Sequence, residues 1–285
     1  MIKTQKVKVS IITVNLNDLK GLKKTCASVF SQSNKDFEHI IIDGASVDGS
    51  LDYIEVHKDK FNYWISEPDS GVYSAMNKGI RQATGDYILF LNSGDFLYNE
   101  DVFSKVENYL IRDIDLVYGN LWIEDDKGDG FTNKYPKIID FNFFKRTSLG
   151  HASTFIKRSL FESYGTYRTD LKIVSDWAFF LKLICLEKRS YLKIDTIIAV
   201  FYEGGLSTAS SYNELHKKER KKVLLENYDL YDTNFDQLLI SNKQHQKFYN
   251  KINPRVELVT TNRFFLKILN SIIGLFAFIL KNKRS

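Results

Sequence analysis

The 285-residue chain predicts an α/β fold, a mixed, mostly parallel sheet covered by helices, with a helical extension at the C-terminus. Three observations lead there. Short apolar runs rich in β-branched residues alternate with stretches of helical spacing over the first two hundred residues. Strands separated by helices imply a parallel sheet with helical cover. The last quarter then changes character and becomes dense in Lys and Arg.

The elements follow in order. "VKVSIITV" (7–14) reads as a buried first strand. In "LKGLKKTCASVFSQ" the residues Leu19, Leu22, Cys26, Val29 and Phe30 stand close to helical spacing. "FEHIIIDG" (37–44) is a second strand that ends in an Asp. "VDGSLDYIEVH" opens a helix with Ser46 or Asp48 as its cap. "NYWISE" is a short third strand, "GVYSAMNKGIRQA" a helix, and "DYILFLNS" a fourth strand. "DLVYGNLW" follows another helix, "GHASTFIKRSLFESYG" is a strand and helix, and "LKIVSDWAFFLKLICLEK" is a helix. No internal repeat or low-complexity segment is present.

Composition narrows the class. With 44% hydrophobic residues and 14% aromatic residues the chain can bury a large core, and disorder is excluded. Two distant cysteines, Cys26 and Cys185, form no CxxC and read as core thiols in a reducing compartment. The N-terminal apolar run is too short for a signal peptide. Charge is uneven: residues 212–285 hold 14 Lys and Arg against 7 Asp and Glu, and residues 1–211 hold 26 against 28. A basic tail on a near-neutral body expects an anionic partner.

In such sheets ligands bind at the carboxyl ends of the strands. Those ends carry Thr13 and Asn15, then Asp43, then Glu67 and Asp69, then Asn92, Ser93 and Asp95. Asp and Asn also end strands because they favour turns, but four strand ends agree here. Neither GxGxxG nor GxxxxGK[ST] occurs, which weakens dinucleotide and P-loop readings. Carboxylates repel a phosphate unless a divalent cation lies between them. Mg²⁺ or Mn²⁺ typically takes one or two carboxylates plus substrate phosphates, and Asp95 suits that anchor.

The ordered segments "VSIITVNLND", "IIIDGASVDGS", "SEPDSGVYSAMNKGIRQATGDYILFLNSGD" and "SDW" resemble the family 2 glycosyltransferases of the GT-A fold, nearest to the branch that builds bacterial cell-surface polysaccharides. The resemblance covers about residues 7 to 208. It implies inverting transfer from a nucleotide-diphosphate sugar, usually a UDP-sugar, to a hydroxyl of a glycan or lipid-linked acceptor. It implies that Thr13 and Asn15 line the nucleotide pocket, that Asp43 bonds the base, and that Asn77 and Lys78 lie near base and diphosphate. Asp95 matches the last Asp of the metal motif for Mn²⁺ or Mg²⁺, although Asn92 and Gly94 stand where other members carry Asp. Asp176 matches the catalytic base, which inverting transfer needs to take the acceptor's proton; a helix cap is the plainer reading. His151 reads as a metal ligand, an acceptor contact or a core-edge histidine. Trp177 follows the base and is a possible acceptor contact. Gly204 and Gly205 in "FYEGGLST" resemble a loop near the donor phosphates, or form a flexible turn.

The expected organisation is a catalytic domain over 1–211, a charged helical extension over 212–263, and a short apolar and basic helix over 264–285. In the extension, "YNELHKKERKKVLLENYDLY" reads as a solvated charged helix. The 17-residue run 264–280 is interrupted by Lys267 and Asn270 and falls short of a spanning helix. It reads as an interfacial helix on an anionic membrane surface, or as one packed on the protein's own core. A cytoplasmic protein on the inner face of the cell membrane is expected, with no nucleic-acid partner. Two alternatives remain: a sugar nucleotidyltransferase and a non-catalytic nucleotide-sugar-binding subunit.

Overall fold

The computed structural model describes residues 8–125, 128–202 and 212–228. The chain divides into two units, Met1–Lys221 and Lys222–Ser285, and the site lies wholly in the first. The sequence expectation placed a boundary at 211.

The first half is built from β1 (Val9–Asn15), α1 (Leu19–Phe30), β2 (Phe37–Asp43), α2 (Ser50–Val56), β3 (Tyr63–Ser66), α3 (Val72–Gln82) and β4 (Tyr87–Phe90). Next come β5 (Phe96–Leu97), α4 (Val102–Leu110), β6 (Leu116–Glu124), β7 (Gly130–Asn133) and α5 (Phe141–Arg146). The described part ends with β8 (Thr154–Lys157), α6 (Ser159–Tyr164), α7 (Ser175–Leu181), β9 (Tyr191–Tyr202) and α8 (Asn213–Asn227). The sequence reading did not separate β5, β7 and β9. β5 is only two residues long, and β9 mixes apolar with charged residues, so neither shows a clean period.

One sheet runs β3-β2-β1-β4-β8-β6-β9-β5, with β7 on β6. β3, β2, β1 and β4 run parallel to one another, β8 is antiparallel to both β4 and β6, and β6 and β9 are parallel. Ile11, Ile12, Ile40, Ile41, Ile42, Leu89 and Phe90 are buried completely or nearly so, which explains the unbroken apolar runs. Each such side chain contributes about 1.5–3 kcal/mol by leaving water. α3 lies directly on β1: a Cβ on Gly79 would meet Ile12 Cγ2 at 2.4 Å. Only glycine allows that approach, and it sets the depth at which α3 carries its polar residues.

The order reverses at β1. The chain fills β2 and β3 on one side, then returns to place β4 on the other. Such a switch point opens a crevice at the strand ends. The start of α2 differs from the expected cap. Gly49, with φ +91°, precedes the helix. Asp48 accepts from the Ser50 N–H at 3.1 Å and from the Leu19 N–H at 2.7 Å, so one carboxylate serves the starts of two helices.

α8 exposes Glu214, Lys217, Lys218, Lys221, Lys222 and Glu226, as a solvated charged helix does, but not all of its charges. Glu219 is buried and Arg220 is half-buried, and both, within the first unit, bond to backbone elsewhere in it. No helix among the described residues is long and apolar enough to cross a membrane. The expected helix over 264–285, and Gly204 and Gly205, lie outside the described residues.

Candidate active site

At the switch point Asn15 ties three strand ends together. Its Nδ2 donates to Asp43 Oδ1 at 2.7 Å, and its Oδ1 accepts from Ser93 Oγ at 2.8 Å. Asp43 is fully buried and saturated. Oδ1 also accepts from Ser46 Oγ, and Oδ2 accepts from the Ser46 N–H and Ser66 Oγ, all within 2.9 Å. A hydrogen bond from Asp43 to a base therefore requires one of these partners to move. Thr13 departs further from its expected place. It shares a face with Asn15 but lies one step deeper, completely buried, with its hydroxyl 3.0 Å from His39 Nε2.

The "NSGD" segment forms a tight turn. The Asp95 N–H donates to Asn92 O at 2.9 Å, and Gly94 has φ +99°, a conformation glycine adopts without strain. α1 holds this turn through Thr25, which the sequence reading did not single out. The Thr25 hydroxyl lies 2.6 Å from Asp95 O and accepts from the Gly94 N–H at 3.1 Å. Asp95 is thereby aimed at the mouth of the crevice with 5% exposure.

Asp95 and Asp176 meet through His151. His151 Nδ1 lies 3.2 Å from Asp176 Oδ2, and Nε2 lies 3.8 Å from Asp95 Oδ2 and 3.2 Å from Asn92 Nδ2. Tyr73, from α3, donates its hydroxyl proton to a pair of acceptors, Asp176 Oδ1 at 2.8 Å and Ile173 O at 2.6 Å. Burial alone disfavours every charge here. For His151 it is outweighed by the two carboxylates, which raise the ring's proton affinity well above its ordinary value. For Asp176 burial is outweighed by His151 and Tyr73, and its pKa is lowered. For Asp95 burial prevails over the more distant His151, and its pKa is raised. The charge at Asp95 is thus only partly compensated by protein groups. Turning the Asn92 amide so that its oxygen faces the ring gives both a partner when the imidazole is protonated, and the buried Oδ1 otherwise has none.

Two expected ligand contacts are occupied elsewhere. Asn77 is 5% exposed and clasps the backbone of Tyr167: Nδ2 donates to Tyr167 O at 2.8 Å and Oδ1 accepts from the Tyr167 N–H at 2.9 Å. One turn earlier on α3, Tyr73 reaches the same chain segment, so this helix face holds the stretch that leads to Asp176. Lys78 pairs with Glu67 at 2.6 Å and Asp69 at 2.7 Å, which joins the third strand end to α3. Trp177 is 3% exposed, with Nε1 donating to Phe144 O at 2.8 Å, and it anchors α7 in the core. Asp176, in the first turn of α7, makes no side-chain cap bond; the residue at the cap position is Val174. Its carboxylate is committed to the crevice.

Asp95 fits a divalent cation as one hard oxygen ligand whose charge His151 only partly compensates. Among the described residues no group of three or more His, Cys, Asp or Glu could hold a metal alone.

Residues 10–165 match the family described as Glycosyl transferase family 2. A protein described as an uncharacterized glycosyltransferase of Mycobacterium tuberculosis is 34% identical over 189 residues, 62% of this chain and 70% of that one. A PGL/p-HBAD biosynthesis glycosyltransferase of Mycobacterium bovis is 30% identical over 218 residues, 73% of this chain and 82% of that one. Among solved structures, S. aureus TarS 1-349 in complex with UDP-GlcNAc aligns with TM-score 0.58 and 19% identity, covering 72% of this chain and 61% of that one. A mannosyltransferase from Pyrobaculum calidifontis in complex with GDP-Man and Mn²⁺ aligns with TM-score 0.53 and 17% identity, covering 70% of this chain and 57% of that one. The chain therefore spans about three fifths of these solved chains, and at such identity the likeness shows the GT-A fold alone. The family match ends before Asp176 but includes Asp43, Asp95 and His151. With more than half of its residues matched to that family, the chain belongs to glycosyl transferase family 2 and is a glycosyltransferase.

Proposed function

We propose that the protein is an inverting glycosyltransferase that moves a sugar from a UDP-sugar to a hydroxyl of a glycan or lipid-linked acceptor in surface polysaccharide synthesis. The observation that carries the reading is the Asp95–His151–Asp176 cluster: an ionised carboxylate held by Tyr73 and His151 beside a second, undercompensated one. Asp176 takes the proton of the acceptor hydroxyl. The acceptor oxygen bonds to the anomeric carbon, the bond from that carbon to the diphosphate breaks, and its electron pair leaves with the diphosphate. Asp176 is unprotonated at neutral pH, as a base must be, and Tyr73 and His151 hold its carboxylate in place. Asp95 would hold Mn²⁺ or Mg²⁺ together with the donor phosphates, and the bound cation would offset the charge that grows on the leaving group. The Asn15–Asp43–Ser93 network frames the nucleotide subsite, and Lys78 reaches the diphosphate on leaving Glu67 and Asp69. TarS with UDP-GlcNAc supports a UDP-sugar, and the mycobacterial relative supports a biosynthetic role. The basic tail supports a membrane-surface location.

The test has two parts. The full chain is screened by thermal shift with UDP-N-acetylglucosamine, UDP-glucose, UDP-galactose and GDP-mannose, each with Mn²⁺ and with EDTA. A donor at 100 times its dissociation constant stabilises by about 2.7 kcal/mol. Release of nucleoside diphosphate is then followed for wild type and Asp176→Asn. Loss of about 10²–10⁴-fold in turnover with donor affinity kept supports the base. Turnover within a few-fold of wild type returns Asp176 to a structural role.

A further inference from the structure

The segment before Asp176 is held from two sides. From α3, the Tyr73 hydroxyl meets Ile173 O and Asp176 Oδ1 together. From α8, the Glu219 carboxylate accepts both neighbouring amides: Oε1 from the Lys172 N–H at 2.7 Å and Oε2 from the Ile173 N–H at 3.0 Å. Glu219 is 6% exposed, so this charge is buried and spent on two backbone donors. The adjacent Arg220 donates to Phe144 O and, at 2.8 Å, to Thr147 O, and its guanidinium carbon lies 4.4 Å from the centre of the Trp177 ring. Trp177 itself donates to Phe144 O. α8 therefore grips the chain on both sides of Asp176: the 172–173 peptides before it through Glu219, and the indole after it through Arg220.

α7 has no side-chain cap of its own, so the peptide orientation just ahead of it depends on outside partners. Glu219 holds Ile173 by its N–H and Tyr73 holds the same residue by its C=O, so a shift of Ile173 moves its carbonyl away from Tyr73, which is also the donor that orients Asp176. A displacement at Glu219 thus passes through three hydrogen bonds, Glu219 to Ile173, Ile173 to Tyr73 and Tyr73 to Asp176. The alternative is that Glu219 only stabilises the fold. The two roles differ in outcome: a purely structural Glu219 changes stability alone, whereas one that sets the segment three and four residues before Asp176 also changes turnover.

We propose that Glu219, with Arg220 beside it, is a positioning residue for transfer: it fixes the 172–173 peptides and through them Asp176, which makes α8 part of the catalytic apparatus. This rests on the reading of Asp176 as the base. The test uses the full chain and release of nucleoside diphosphate to water at saturating UDP-N-acetylglucosamine, or whichever sugar nucleotide of the four binds best, with donor affinity measured on the same preparations. Glu219→Ala is expected to lower turnover by about 10²-fold, as a misplacement of about 1 Å does, with donor affinity within twofold. Glu219→Gln keeps one acceptor oxygen and should fall between the two. In the Asp176→Asn background, Glu219→Ala should change the residual rate by less than twofold, because residues that act as a unit are not additive. Equal losses in both backgrounds overturn the proposal, as does a Glu219→Ala rate within twofold of wild type when Asp176→Asn has lost turnover. In that last case the base assignment stands. Full turnover by Asp176→Asn removes the base assignment and this proposal with it. If Glu219→Ala does not fold, Glu219→Gln is judged by the same comparisons.

Discussion

Acid should destabilise this protein through one buried histidine. His39 lies in β2 with 1% exposure, its ring edge-on to Phe30 at 6.1 Å and Phe61 at 5.5 Å. Nε2 meets the Thr13 hydroxyl, and Nδ1 has no partner. A second proton would have to sit on that bare nitrogen in an apolar wall. Burial accordingly lowers the pKa from 6.5 to about 3. The folded state therefore binds fewer protons than the unfolded state between these two values. Stability is complete above pH 6.5 and falls as pH drops towards 3, by up to about 1.4 kcal/mol per unit. Between pH 7.5 and pH 5.0 the loss from this group is about 2 kcal/mol, a figure nearly independent of the folded pKa so long as it stays below about 4. His39→Gln retains a polar atom near Thr13 and cannot take up a proton. Urea unfolding of both proteins at the two pH values isolates the histidine, since all other groups titrate in both. Wild type should lose about 2 kcal/mol more than the variant. Equal losses would show that His39 is protonated in the folded state or reaches water, and the argument from burial would fail.

Three further outcomes follow. Asn77→Ala leaves the buried Tyr167 amide and carbonyl without their partner, at about 1–3 kcal/mol for each group, so its melting temperature should fall even without ligand. A variant that melts like wild type but loses donor binding would restore Asn77 to the nucleotide subsite. Thr25→Val removes the hydroxyl that holds the Asn92–Asp95 turn, and should weaken the Mn²⁺-dependent part of the donor thermal shift more than the metal-free part; equal weakening would argue against Asp95 as the cation's ligand. Truncation after Asn262 should leave donor binding intact and abolish sedimentation with anionic vesicles, and persistence of sedimentation would place the membrane contact elsewhere.

Much of the fold was legible because its signals are local. The isoleucine runs of β1 and β2 can be buried on both faces only in a covered parallel sheet. The polar residues that end them must then emerge on one edge, and Asn15, Asp43 and Ser93 do meet there. Asp95 and Asp176 were marked by the resemblance of their motifs. β5 was missed because two residues cannot show a period, and β7 because "GFTN" is half exposed and carries a single large apolar residue.

By itself the sequence determined the strands of the covered parallel half and which edge of the sheet is polar, since alternation and helical spacing act over a few residues, while the resemblance of the motifs pointed to Asp95 and Asp176. Only the tertiary structure decided what each polar group touches. Thr13 and Asn15 differ by one step along the same strand face, yet one meets a buried histidine and the other bridges two strand ends. Asn77 finds its partner 90 residues away, and Tyr73 finds Asp176 at a separation of 103. Glu219, in a run of charges that reads as solvated, is buried on the amides of Lys172 and Ile173, in the segment that leads to Asp176. A buried hydrogen-bonding group must be satisfied by whatever the packing of distant elements brings within 3 Å of it, and no local pattern in the chain encodes that distance.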